Sequence, residues 1–83
     1  MIDKINAAIT QYFEQNPEAT RVPAKDLMPS FIAAGIFKKD HRKGYPIREV
    51  LRELDFAKRL DEIPAATPER NEKDTYWYFE RKE

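Results

Sequence analysis

The sequence predicts an α+β fold: three helices followed by a C-terminal two-stranded β-hairpin, within a single domain spanning residues 1–83. Three observations predict it. Apolar residues recur at helical spacing near the N-terminus and again after Gly44. Two breaker signals, Asn16 with Pro17 and then Gly35, cut the chain at helix-sized intervals. Near the end, Tyr76, Trp77, Tyr78 and Phe79 follow the β-branched Thr75, which is strand composition.

Ile2, Ile5, Ile9, Tyr12 and Phe13 fall on one face at ~100° per residue, with Ala8 beside them. They predict a first helix over residues 3–15. Asn16 and Pro17 stop it, because the residue before a proline avoids helical dihedrals. Val22 stands between polar residues and Pro23, and is a candidate for a very short third strand. A second helix lies between residues 24 and 34, where Leu27, Phe31 and Ala34 share a face. Pro29 is tolerated only in a first turn or at a kink, so this helix begins near Asp26 or bends at Met28. Gly35 occupies the place of a left-handed C-cap, and Ile36 and Phe37 turn back to the core.

The third helix is the clearest. Gly44 and Tyr45 lead into Pro46, which suits the first helical position. Ile47, Val50, Leu51 and Leu54 lie within ~100° of arc, so one stripe is apolar. Arg48, Arg52 and Asp55 lie to one side, Glu49 and Glu53 opposite the stripe, and the helix ends near Phe56 or Lys58. Residues 60–66 and 75–81 read as the two strands. The polar stretch 67–74 between them reads as a long hairpin loop. The expected core is Ile5, Ile9, Phe13, Leu27, Phe31, Ile36, Ile47, Val50, Leu51, Leu54, Leu60 and Ile63. One alternate pair of the last strand completes it, either Trp77 with Phe79 or Tyr76 with Tyr78.

This order of elements, with the run Gly44, Tyr45, Pro46, Ile47, Arg48, Glu49, Val50, Leu51, Arg52, Glu53, Leu54 ahead of paired strands, resembles the winged-helix family. The resemblance is architectural and covers nearly the whole chain. It implies that the third helix is a recognition element, that the hairpin is a wing, and that a minimal strand after the first helix pairs with the hairpin.

Composition narrows the function classes. The chain has no cysteine, so no disulfide or thiolate chemistry is available, which fits a reducing compartment and a cytoplasmic location. Asp3 and Lys4 interrupt the first apolar residues, and no apolar run reaches ten, so neither a signal peptide nor a membrane span is expected. One histidine, His41, lies among charged neighbours, and the chain has two glycines. No metal site, phosphate loop or acid–base pair can be assembled from that inventory, so no cofactor and no enzymatic activity are expected.

Charge is the one functional clue. Residues 38–59 carry eight Lys or Arg against four Asp or Glu, a net of +4. The rest of the chain carries the balancing −4, so the total is zero. Clustered cations on a helix and its leading loop attract a polyanion. The candidate contacts are Lys38, Lys39, Arg42 and Lys43 on phosphates, with Tyr45 beside them. Arg48 and Arg52 would face a groove, and Arg70 and Lys73 would act from the hairpin loop. The candidate partner is double-stranded DNA. On the alternative account the helix face is merely solvated, and the domain binds a protein partner or a second copy through Tyr76, Trp77, Tyr78 and Phe79. The helix places like charges four apart, Arg48 with Arg52 and Glu49 with Glu53, which segregates the signs rather than optimising internal pairs.

Overall fold

The computed structural model describes residues 1–82 and contains three α-helices and one three-stranded antiparallel sheet. Helix α1 spans Ile2–Gln15, α2 Met28–Ala33 and α3 Tyr45–Phe56. Strand β1 spans Arg21–Pro23, β2 Ala66–Arg70 and β3 Thr75–Glu80, in the order β1-β3-β2. Val22 therefore does sit in a third strand, opposite Phe79, and the expected two-stranded hairpin is extended to three strands.

Each departure from the expected boundaries has a physical cause. A 3-10 turn at Ala24–Leu27 precedes α2, so Pro29 falls in the first turn of the helix, where its missing N–H costs nothing. The first hairpin strand is shifted from 60–66 to Ala66–Arg70. Residues Leu60–Glu62 instead form a 3-10 turn, held by hydrogen bonds from Arg59 to the Glu62 carboxylate and from the Ile63 amide to the Leu60 carbonyl. Residues 67–70, expected as loop, pair with Tyr78, Trp77, Tyr76 and Thr75. Pro68 is accepted because β2 is an edge strand. The turn is thereby reduced to residues 71–74, closed by the Asn71 amide on the Asp74 carbonyl at 2.8 Å.

The core lies between the helices and one face of the sheet. Phe31, Phe79, Ile5, Leu27, Met28, Ile47, Leu51 and Ile63 are its largest fully buried side chains. Phe31 meets Phe79 edge-to-face at 6.1 Å and Phe37 at 6.2 Å, the geometry aromatic quadrupoles favour. Trp77 and Phe79 form the inward pair of β3, while Tyr76 is exposed and Tyr78 half-buried. Ile36, Val50 and Leu60, expected in the core, lie at its margin. Val22, Ala24, Met28 and Ala65 are buried in addition. Among the described residues no polar or charged side chain is buried, so packing alone holds the interior.

Two helix ends close with the same left-handed device. After α2, Gly35 has φ +79, its amide donates to the Ile32 carbonyl, and the Ile36 amide reaches the Phe31 carbonyl. After α3, Lys58 takes that role at φ +60, with the amides of Lys58 and Arg59 on the carbonyls of Asp55 and Leu54. The end of α1 is closed from a distance. The Arg81 guanidinium donates to the carbonyls of Phe13, Asn16 and Ala19 at 2.8–2.9 Å. It replaces partners the helix cannot supply itself.

Gly44 is the tightest point. Its φ is +94, and a Cβ there would lie 2.5 Å from Lys25 Cβ and 2.9 Å from Lys25 Cα. A Cβ on Gly35 would meet nothing within 4 Å. Gly35→Ala is therefore expected to cost only the left-handed penalty, about 1–2 kcal/mol. Gly44→Ala should lose a further 1–3 kcal/mol or so from overpacking. Leu51→Ala should cost roughly 2–5 kcal/mol. Urea unfolding of the three variants, read as midpoint shifts at constant slope, checks both the order and the sizes.

Candidate nucleic-acid interface

The segment between α2 and α3 is a shaped loop rather than a slack one. Arg42, Lys43 and Gly44 are consecutive left-handed residues, with φ of 53, 47 and 94. The Asp40 carboxylate accepts the Gly44 amide at 2.8 Å, and the Tyr45 amide donates to the His41 carbonyl at 3.2 Å. Arg48, one turn into α3, reaches back and donates to the carbonyls of Lys43 at 2.7 Å and Arg42 at 3.0 Å. Those bonds offset the conformational cost of two non-glycine residues at positive φ. Tyr45 is half-buried; its ring lies 5.3 Å from the His41 ring and 5.4 Å from the Arg42 guanidinium. Both contacts brace the loop.

The loop presents its charges outward. Lys38, Lys39, Arg42 and Lys43 are all exposed, and among the described residues none forms an ion pair. Arg48 uses part of its five-donor fork on the loop carbonyls and has no carboxylate partner among those residues. Arg48 therefore joins the upstream cations to α3.

Two of the expected contacts are engaged by acids. Arg52 pairs with Glu49 at 2.9 Å, one turn away on α3, with 65% of its side chain exposed. An exposed pair of this kind is worth under ~1 kcal/mol and exchanges readily for a stronger anion. Arg70 is held more firmly. It makes a two-pronged contact with Asp55, Nη2 to Oδ1 at 2.9 Å and Nη1 to Oδ2 at 3.0 Å. This contact locks the hairpin to α3 instead of projecting from a wing tip, so Arg70 is a brace between elements. Lys73 remains on the exposed hairpin turn.

Between α3 and the hairpin lies a groove made of two adjoining hollows, of about 500 and 430 Å³, that share Arg48, Asp74, Thr75 and Trp77. Arg52, Phe56 and Lys73 line the first, and Lys25 and Tyr76 the second. Lys25 and Phe56 do not stand out in the sequence. Lys25 lines the second hollow beside Pro23 and Ala24, and its Cβ lies against Gly44. Phe56, four residues from Arg52, follows the apolar Leu54 yet is 93% exposed. A lone aromatic at the end of a helical stripe carries no signal that separates it from core.

The sheet limits the protein-partner reading. β3 is the central strand, so its backbone edges are taken by β1 and β2. Trp77 and Phe79 are buried, which leaves only Tyr76 and Tyr78 facing outward. Arg21 covers Tyr78, its guanidinium 3.9 Å from the ring centroid. Among the described residues no helix is long and apolar enough to cross a membrane, and no group of three or more His, Asp or Glu side chains is gathered as a metal would need.

The Asp55–Arg70 brace has a pH signature. Hydrogen bonds from Arg70 hold the Asp55 carboxyl below its ordinary value of 3.8, against an opposing desolvation and with the help of the guanidinium charge. A carboxyl lowered by folding stabilises the fold above its unfolded value and loses that contribution as pH falls through the folded value. The wild type should therefore lose more stability than Asp55→Asn between pH 6 and pH 3. Urea titrations of both proteins at the two pH values measure the difference. Equal losses would show the brace to be energetically silent.

No family model, no characterised protein and no solved structure matches this chain.

Proposed function

We propose that this chain is a small non-enzymatic nucleic-acid-binding domain of winged-helix type. The third helix and its leading loop are its contact surface, and duplex DNA is the candidate partner. The observation that carries the reading is the behaviour of Arg48. By hydrogen-bonding the carbonyls of Arg42 and Lys43, it fixes a loop whose four outward cations have no acid partner among the described residues. On this reading the loop cations and the cations of α3 act as one surface, a proposal supported by the Arg48 bonds that tie the loop to the helix. Phosphates along a backbone are recognised by such a surface regardless of sequence. Lys38, Lys39, Arg42 and Lys43 take phosphates, Arg48 and Arg52 line the adjoining groove, and Lys73 flanks it.

The acids nearby weaken the field without cancelling it. Glu49 is bound to Arg52, Asp55 to Arg70, and Asp40 accepts the Gly44 amide. Each of these carboxylates is already satisfied inside the protein. Removing Arg52 from Glu49 requires only that a phosphate compete with an exposed pair.

Retention of a 20-base-pair duplex at ~50 mM salt tests the reading, with the logarithm of affinity plotted against that of salt. The wild type should bind with a steep negative slope. The triple reversal Lys39→Glu, Arg42→Glu, Lys43→Glu should abolish retention while leaving the helical circular dichroism unchanged. Neutralising the same three residues to Gln should flatten the slope by about 2.7, or ~0.9 for each phosphate left without its cation. A wild type that ignores the duplex at this salt refutes duplex binding.

A further inference from the structure

The groove between α3 and the hairpin holds a combination that phosphate contacts alone do not explain. Among the described residues the exposed large hydrophobic side chains are Met1, Phe56 and Tyr76. Two of these three border the same groove. Phe56 stands in the hollow beside Arg52, and Tyr76 in the hollow beside Lys25, with Arg48 common to both. Tyr76 is 54% exposed and Phe56 is 93% exposed. Arg48 and Phe56 are eight residues apart on one helix, about 12 Å along its axis.

Aromatic faces set along a cationic channel are the chemistry of unpaired nucleic-acid strands. Every base has a π-face that stacks on an aromatic ring, while the backbone follows the cations. A duplex offers no such faces, because its bases are stacked on one another. The wall of α3 carries Arg48 and Arg52 with Asp55, whose carboxylate is already held by Arg70, and is the phosphate side. The hairpin end carries Glu72 and Asp74 together with Lys73, and is less suited to phosphate. Phe56, as the last residue of α3, has no neighbour that covers it.

Resting on the nucleic-acid reading above, we infer that this groove takes an unpaired strand where it leaves a duplex, with bases stacked on Phe56 and Tyr76 and phosphates on Arg48, Arg52 and Lys25. The loop cations hold the neighbouring paired region. The preferred ligand is then a duplex with a single-stranded tail, not a blunt one.

Fluorescence anisotropy with three kinds of labelled DNA probe tests this: a blunt 20-base-pair duplex, the same duplex with a 12-nucleotide thymidine tail of either polarity, and the tail sequence alone. The wild type should bind one tailed form more tightly than the blunt form. Phe56→Ala with Tyr76→Ala should lower affinity for that tailed form at least about fivefold per ring, without changing blunt-duplex affinity. Phe56→Trp, which keeps a stacking face, should retain the tail preference. Unfolding curves confirm that the alanine variants fold, as both side chains are exposed. Equal wild-type affinity for blunt and tailed DNA overturns the inference, as does a tail preference that survives the double substitution. A fall in sedimenting mass on substitution would assign the aromatics to self-association and overturn it too. Binding to tailed and single-stranded probes alike but not to the blunt duplex would refute duplex contact and overturn the inferred junction. Binding to none of the three removes both.

Discussion

The backbone of Gly44 passes closer to Lys25 than any side chain allows, and much of the domain's geometry depends on that approach. It seats the start of α3 on the 3-10 turn that precedes α2. From that seat Ile47, Leu51 and Leu54 are directed into the core beside Leu27 and Phe31. The same seat lets Arg48 face backward onto the loop carbonyls. The missing Cβ thus lies where the amphipathic stripe of α3 begins and where the cationic loop ends. Crowding of this kind is felt strongly because cores pack at crystal-like density.

Around that seat the surface charges are of two kinds. Some are internal connectors: Arg70 to Asp55, Arg59 to Glu62, Arg81 to three carbonyls, Arg21 to Glu69 and the Tyr78 ring. The others, in residues 38–43, project into solvent from a rigid loop. Neutral net charge conceals this division, because Asp55, Glu62 and Glu69 are taken up as partners of the connectors. A loop whose backbone is already hydrogen-bonded presents its cations to a polyanion without first ordering that backbone, which lowers the entropic cost of association.

How much of this is legible in the sequence follows from the range of each interaction. Helical periodicity is local, so α1 and α3 can be read nearly to the residue. Gly35 as a C-cap and Pro46 at the start of α3 are likewise local rules. The first hairpin strand cannot be placed that way, because residues 67–70 are polar and become a strand only by pairing with an aromatic neighbour. Apolar Leu60 and Ile63 look extended but close a turn. Of the candidate site, the loop cations are legible as a charge cluster. The diversion of Arg70 to Asp55, fifteen residues away, is not. Neither is the recruitment of Lys25, since nothing local marks which residue Gly44 will meet.

The sheet order carries a consequence for biosynthesis. β3 is the middle strand and follows both of its partners in the chain, so β1 waits unpaired while some fifty further residues are made. Arg81 lies beyond it and completes the end of α1 from more than sixty positions away. A nascent chain still inside the ribosomal tunnel at residue 75 has neither its sheet nor that clasp. The sheet and the clasp are consequently completed only once the last strand is available. Until then the apolar stripes of α1 and α3 depend on each other, or on a chaperone, for cover.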